Sequence, residues 1–546
     1  MTAKTKPEEL FSSIALRAER NNAPLFLPSD VRPYSGSWGE LCATAAEAAG
    51  WLELAGVRAG DVVALSAEPR AGTLATILAA WKLNASITIL ATPSGAKRAA
   101  HSYPEWLGGR LGQIRAKLVV TDRDDGGIDW PAVTAPGPHG VRALRNPAEP
   151  SPLDDLAAIG QLTSGSTGDP KIVPVTADAV LANVAAIAAR FGLTDADSVV
   201  SWLPLSHDMG LIGTFALPAL LGLPLHLSSP DSFVRNPTGW LVDIARLRAT
   251  LTFAPNFAYS LAARHAQLRS REEKLDLSTL RHCVNGSEPI HAREFATFGE
   301  FAARHGMPVT ALRPGYGMAE VGLVLTAVEP GQPMRVLTVE ANSLTDGSTV
   351  RVAGSGIDLV GCGKPLPGYR ISVRSRDGEP LPERTVGEIC AHGPSLFTGY
   401  LGQGGTESFW PDGFHRTGDL GFVCDGEVFV CGRIKDIIIV RGENLVPQEI
   451  EHQVATVDGV RRGNVAAFGI RGDDRAEGVV IVAEATAPRQ RHAEVKSSIS
   501  REVRRWFGVR PADIVLLGKG ELPKTTSGKL QRQLCKRTYL VGLWSR

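Results

Sequence analysis

The sequence predicts an α/β protein in two parts. One is a large N-terminal domain of several layered sheets and helices over residues 1–432, and the other is a small α+β C-terminal domain over residues 433–546. Three observations predict this. The chain has 546 residues, more than one ordinary core accommodates. Up to about residue 430, short apolar runs alternate with amphipathic stretches, the pattern of buried parallel strands covered by helices. After "VFVCGRIKD" the texture changes to a compact unit, and about 110 residues suffice for a small domain.

In the first part, "DVVALSA" (Asp61 to Ala67), "AKLVVTD" and "VVSWLPL" read as buried strands. Between Thr176 and Gly192, the residues Val180, Val184, Ile187, Ala188 and Phe191 share one helical face, and Gly192 suits the end. "LIGTFALPALLGLPLHL" (Leu211 to Leu227) is the most apolar stretch, but it is short for a bilayer and holds two prolines, so it reads as core. In the second part a strand (Ile437 to Val440) is followed by a helix from Pro447 and the strands "NVAAFGI" and "GVVIVAEA". A second helix carries Val495, Ile499, Val503 and Trp506 on one face. The boundary falls at Gly432 to Asp436.

Composition excludes several functions. With 43% hydrophobic and 21% charged residues, the chain is an ordinary globular sequence. A net charge of +1 leaves no footprint for nucleic acid or an anionic membrane. Seven cysteines without a CxxC pair point to reduced thiols in a cytosol, not to a zinc site or disulfide framework. "MTAKTKPEELFSS" has no apolar signal core, so a cytoplasmic location is expected.

"TSGSTGDPK" (Thr163 to Lys171) looks like a phosphate cradle. It is not a P-loop, because Asp169 and Pro170 stand between its second glycine and Lys171. Yet glycines let backbone N–H groups approach an anion, and the hydroxyls of Thr163, Ser164, Ser166 and Thr167 add donors. A polar turn between two strands remains the other reading of these residues alone. "PGYGMAEVG" offers the aromatic Tyr316 for a purine and the carboxylate Glu320 for Mg²⁺. In "HRTGDLG" the two oxygens of Asp419 suit a ribose diol. "LPKTTSGKLQR" places Lys529 after a flexible glycine.

Each segment is weak alone. In this order, together with "NGSEP" (Asn285 to Pro289) and "GRIKD", they resemble the acyl-adenylate-forming superfamily across nearly the whole chain. That superfamily includes acyl-CoA synthetases, luciferase and peptide-synthetase adenylation domains. Within it, "WLPLSHDMGLIG", "APNFAY" and "NGSEPI" are most similar to fatty acyl-AMP ligases, and Met334 to Gly356 looks like the insertion that marks them. The resemblance implies activation of a carboxylic acid by ATP and Mg²⁺ to acyl-AMP, then acyl transfer to an acyl carrier protein. It implies that residues Thr163, Ser164, Gly165, Ser166, Thr167, Gly168 and Lys171 hold phosphates, and that Glu320 with Thr167 positions Mg²⁺. Adenine would lie against Gly286, Ser287, Glu288, Tyr316, Gly317 and Met318, and ribose against Asp419 and Arg433. Lys529 would reach the reacting carboxylate from a small domain that turns about Lys435. His207 would stand where the acyl channel meets the reaction centre, as a gate or as a structural polar residue. Phe257 and Met318 would line that channel.

Other functions stay in view. "RGEN" (Arg441 to Asn444) is closer to acyl-CoA synthetases and keeps free CoA as an alternative acceptor. Amino-acid adenylation domains use an Asp to grip the amine, and "LTFAPNFAYSL" has no acid there. A non-catalytic, nucleotide-dependent scaffold would not need Lys171, Glu320, Asp419 and Lys529 together.

Overall fold

Two largely parallel sheets carry the first part of the chain. The computed structural model describes residues 5–28, 33–91, 103–122, 132–133, 137–147, 157–163, 171–269, 275–340, 343–402, 405–440, 443–471, 477–524 and 530–544. A nine-stranded sheet has a parallel centre: Pro24–Leu27, Leu225–Leu227, Val199–Ser201, Leu251–Ala254, His282–Asn285 and Leu312–Gly317, in that spatial order. Antiparallel strands close both edges, Tyr34–Ser37 at one and Val324–Ala327 with Lys364–Pro365 at the other. The central strands are buried on both faces, which is why they read as continuous apolar runs such as "LTFA".

A six-stranded sheet runs Arg142–Arg145, Ala116–Thr121, Val62–Ser66, Ser86–Ile89, Ala157–Thr163 and Lys171–Thr176. Its last two strands are antiparallel, and Thr163 pairs with Lys171. The two ends of the glycine loop are thereby held side by side. The helix Ala177–Phe191 follows at once. Thr176 accepts a hydrogen bond from the Ala179 N–H at 3.1 Å, and Gly192 ends the helix at φ 61°. Val180, Val184, Ile187 and Phe191 are buried as expected.

Two expectations need correction. "VVSWLPL" is not one strand, since only Val199–Ser201 joins the sheet. Pro204 has no N–H for a ladder, and Trp202 turns away to stack on Phe233 with ring centroids 3.9 Å apart. Trp506 does not share the buried face of the helix His492–Phe507: it is 38% exposed, whereas Val495, Ile499 and Val503 are buried. The residue four beyond Val503 is Phe507, which packs on that core instead. Leu211–Leu227 is core as expected, folded as the π-helix Met209–Ala216, the helix Leu217–Leu221 and the strand Leu225–Leu227. Among the described residues no helix is long and apolar enough to cross a membrane. All seven cysteines are buried and unpaired.

An antiparallel sheet follows: Arg370–Arg374, Gly387–His392, His415–Cys424 and Glu427–Arg433. The 334–356 segment begins with Val336–Val339, which pairs with Ile357–Val360. Its Val339, Leu344 and Val350 bury against Leu420, Phe422 and Phe429 of that sheet, and Ile437 packs on the same cluster.

Beyond residue 437 the hairpin Ile438–Val440/Glu443–Leu445 and the helix Pro447–Val454 precede a three-stranded sheet, Val460–Arg471, Glu477–Ala485 and Asp513–Leu517. Alternation of its side chains gives two buried faces. Ala467, Val479 and Ile481 face the helix His492–Phe507, while Phe468, Val480 and Val482 cluster with Cys535 of the helix Arg532–Leu540.

Candidate functional site

The site lies where the parallel strands of the nine-stranded sheet end. Ala254, Asn285 and Pro314 stand near one level across three neighbouring strands, and the crevice opens beyond their carboxyl ends, the usual ligand position in such sheets. It is lined by Asn285, Gly286, Ser287, Tyr316, Gly317 and, from the π-helix side, Met209. The backbone beside it is tightly constrained. A Cβ at Gly317 would lie 1.8 Å from the Leu323 carbonyl oxygen, and Ser287 adopts φ 71°, which few non-glycine residues do.

Tyr316 crosses this crevice to the antiparallel sheet. Its hydroxyl donates to Asp419 Oδ2 at 2.8 Å, and Arg433 Nε donates to Asp419 Oδ1 at 3.1 Å. Register explains the second contact, since Asp419 and Arg433 are paired across neighbouring strands. Asp419 raises the Arg433 guanidinium above its ordinary value, and burial raises the Tyr316 phenol far above its own. A carboxylate has about four acceptor positions, so Asp419 retains capacity for a diol beyond these two donors.

A second cluster gathers around Glu320. Burial raises its carboxyl above the usual range; the hydrogen bond from Tyr400 opposes this, and Asp208 adds to it. Tyr400 Oη donates to Glu320 Oε1 at 2.7 Å, and Lys171 Nζ sits 4.0 Å from the centre of the Tyr400 ring. Mg²⁺ ordinarily takes one or two carboxylates and fills its other positions with phosphate oxygens and water. Glu320, with Asp208 close enough to influence its ionisation, fits that donor set. Among the described residues no group of three or more His, Cys, Asp or Glu could cage a metal without such oxygens.

The remaining expected residues are placed as follows. Thr163 Oγ1 donates to the Lys171 carbonyl at 3.3 Å, and Ser164, Gly165, Ser166, Thr167 and Gly168 lie outside the described residues, as does Lys529. Glu288 turns from the crevice to accept the Phe257 N–H at 2.7 Å, at the start of the helix Asn256–Arg269. Phe257 meets Trp202 edge-on at 6.3 Å, and Met318 packs half-buried on the main core. His207 Nδ1 is 3.5 Å from Asp208 Oδ1. Lys435 is exposed in the turn Ile434–Asp436. Its neighbour Asp436 accepts from Arg532 Nη1 at 2.7 Å, and the same guanidinium donates to both Glu451 oxygens at 2.6 and 2.9 Å.

Tyr400, Asp208 and Arg532 are absent from the sequence-derived set. Asp208 and Arg532 lie within the motifs "WLPLSHDMGLIG" and "LPKTTSGKLQR" and could have been found there. Tyr400 had no such signal; "FTGYLG" resembles any glycine-flanked aromatic.

The chain matches the AMP-binding enzyme family over residues 18–401. It is similar to a putative ligase of Mycobacterium tuberculosis, 34% identical over 528 residues, covering 92% of this chain and 94% of that one. It is also similar to a medium-chain-fatty-acid–acyl-carrier-protein ligase of Moorena producens, 34% identical over 427 residues, covering 72% of this chain and 69% of that one. A solved structure from work on the fatty acyl-adenylate ligases of E. coli and L. pneumophila superposes with a TM-score of 0.84 at 27% identity, covering 100% of this chain and 99% of that one. The crevice, the paired charge clusters and these likenesses agree: the chain belongs to the AMP-binding enzyme family and is an ATP-dependent ligase that forms acyl-AMP.

Proposed function

We propose that this enzyme activates a fatty or related carboxylic acid and passes the acyl group to the phosphopantetheine thiol of an acyl carrier protein. In the first step a carboxylate oxygen attacks the α-phosphorus of ATP and pyrophosphate leaves. In the second the thiolate attacks the acyl carbonyl and AMP leaves. The observation that carries the reading is the Tyr316, Asp419 and Arg433 group at the crevice together with the Glu320, Tyr400 and Lys171 cluster, whose Glu320 lies close enough to Arg433 to feel its charge.

The first step joins two anions, so oriented donors and cations matter most. The backbone of Gly286, Ser287 and Glu288, with Tyr316, Gly317 and Met318, frames the adenine; Asp419 and Arg433 hold the ribose. The 163–168 loop and Lys171 receive the outer phosphates. Glu320 and Thr167 hold Mg²⁺, which neutralises phosphate charge when bound. Lys529 reaches the α-phosphate and the carboxylate. His207, Phe257 and Met318 line the acyl channel. Residues 433–546 turn as a unit about Lys435, exchanging the Lys529 face for one that admits the thiol.

The carrier-protein acceptor rests on the 334–356 insertion and on the likeness to an acyl-carrier-protein ligase. "RGEN" favours a second reading with free CoA. The test is one reaction with ATP, an accepted acid and either holo-carrier protein or CoA, read by mass spectrometry. Rapid acylation of the carrier with slow acyl-CoA formation is expected. Rapid acyl-CoA formation by the intact enzyme overturns the carrier reading and promotes CoA.

A further inference from the structure

We propose that Tyr400 is a positioning residue that braces the two halves of the phosphate site, fixing the Glu320 carboxylate with its hydroxyl and holding Lys171 with its ring. The proposal rests on the reading of Glu320 as the Mg²⁺ carboxylate and Lys171 as a phosphate cation. Four contacts carry it. Tyr400 Oη donates to Glu320 Oε1 at 2.7 Å. Lys171 Nζ lies 4.0 Å over the ring. The segment bearing Tyr400 is pinned at both ends by backbone: Phe397 N–H donates to the Glu320 carbonyl at 2.8 Å, and Leu401 N–H donates to the carbonyl of Ile172, next to Lys171, at 3.0 Å. The stretch thus spans the gap between the two functional positions and bonds the main chain at each.

The hydroxyl and the ring do separable work. A hydrogen bond to a buried carboxylate fixes which way its oxygens point, so the carboxylate meets a cation without first reorienting. The ring face attracts the ammonium without neutralising it, because the quadrupole supplies no counter-charge. The ring thus holds the Lys171 ammonium in place without setting an anion beside it. A carboxylate in place of the ring would hold Lys171 as well, but it would compete with the incoming phosphates and repel them. Phe397 meets Tyr400 edge-on at 4.9 Å and limits its rotation.

Two substitutions separate these roles. Tyr400→Phe keeps the ring and removes the hydroxyl; Tyr400→Leu removes both. The measurement is calorimetric titration of ATP into the full-length enzyme with and without Mg²⁺, no acid being present, so that binding is read apart from turnover. For Tyr400→Phe, ATP binding without Mg²⁺ is expected to stay near the parent value, while the gain in affinity on adding Mg²⁺ falls about tenfold, the size of one hydrogen bond to a charged group. For Tyr400→Leu the same loss is expected, with a further weakening of about threefold to tenfold even without Mg²⁺. Parent-like Mg²⁺ dependence in Tyr400→Phe, or equal losses with and without Mg²⁺ in both variants, overturns the brace. If Tyr400→Leu does not fold, Tyr400→Phe alone decides. Glu320→Gln and Lys171→Ala are run alongside. If neither affects ATP binding, the underlying site reading has failed and the brace falls with it. If both affect it and Tyr400→Phe does not, only the brace has failed.

Discussion

Tyr316 and Asp419 are hydrogen-bonded at 2.8 Å across 103 residues of sequence, and the contact ties the strand Leu312–Gly317 of the main sheet to the strand His415–Cys424 of the antiparallel one. Arg433 completes the carboxylate's surroundings at 3.1 Å. Asp419 therefore has two duties, one toward the proposed ribose and one toward the crevice wall.

Asp419→Ala is accordingly expected to raise the KM for ATP by about tenfold or more and to destabilise the protein by about 1–3 kcal/mol, because the buried Tyr316 hydroxyl loses its acceptor. Selection of ATP over 3′-deoxy-ATP should shrink as well. Steady-state kinetics with both nucleotides and a thermal melt measure these effects. Unchanged sugar selectivity would place the ribose elsewhere.

Lys529→Ala is expected to slow acyl-AMP formation on the order of a hundredfold, about 3 kcal/mol of transition-state stabilisation. Acyl transfer from preformed acyl-AMP should survive. The two half-reactions are timed separately, and equal slowing of both would contradict the alternation about Lys435.

Leu344→Ala probes the insertion. Leu344 is 2% exposed and buries against the Phe422 and Phe429 cluster, so its truncation should cost about 2–5 kcal/mol. If the insertion limits use of free CoA by restraining the C-terminal part, loosening it should raise acyl-CoA formation relative to carrier acylation while adenylation holds. A variant destabilised to that degree with an unchanged acceptor ratio removes the insertion from acceptor choice.

Glu449→Gln tests a buried acid. Burial first, then Asp358 and Glu451, push the Glu449 carboxyl up to about 7 from an ordinary 4.5. The native state thus binds a proton that the unfolded chain releases. The stabilisation is complete below pH 4.5 and is lost as pH rises through about 7. At pH 8 Glu449→Gln should be more stable than the parent by about 2 kcal/mol, a value that allows for partial solvent screening, and the gap should close near pH 4.5. Denaturant titrations at the two pH values decide it; a constant gap contradicts it.

The His291–His452 stack should act with the opposite sign. The rings lie 4.3 Å apart at 19°, and burial, reinforced by His452, pushes His291 down to about 3. His452 is lowered too, by burial first; Glu294 and Asp358 oppose this, while Arg293 and Arg462 add to it. A histidine held neutral stabilises above its ordinary value of 6.5 and loses that contribution as pH falls below it. Between pH 7.5 and 5.5 the parent should lose about 1 kcal/mol that His291→Gln does not lose. Parallel pH profiles for the two proteins would rule this out.

The sequence by itself determined the elements whose signal is local. The helix Ala177–Phe191 was readable because its apolar period and its Gly192 stop are contiguous. Val62–Ser66 was readable because a strand buried on both faces must be apolar throughout. The motifs around Thr163, Gly286, Tyr316, Asp419 and Lys529 were readable one by one for the same reason. Where two neighbours competed for one face, as Trp506 and Phe507 did, periodicity could not choose, because only the shape of the facing core distinguishes the positions three and four beyond Val503.

The tertiary structure alone decided which of these pieces meet. Tyr400 stands 80 residues from Glu320 and bears no motif, yet it holds both Glu320 and Lys171. Asp197 and Arg281, or Arg532 with Glu451 and Asp436, pair across similar gaps. Such contacts depend on sheet order and strand register, which are global properties of packing. A sequence specifies its donors and acceptors residue by residue, but the distance between two of them exists only once the intervening chain has folded.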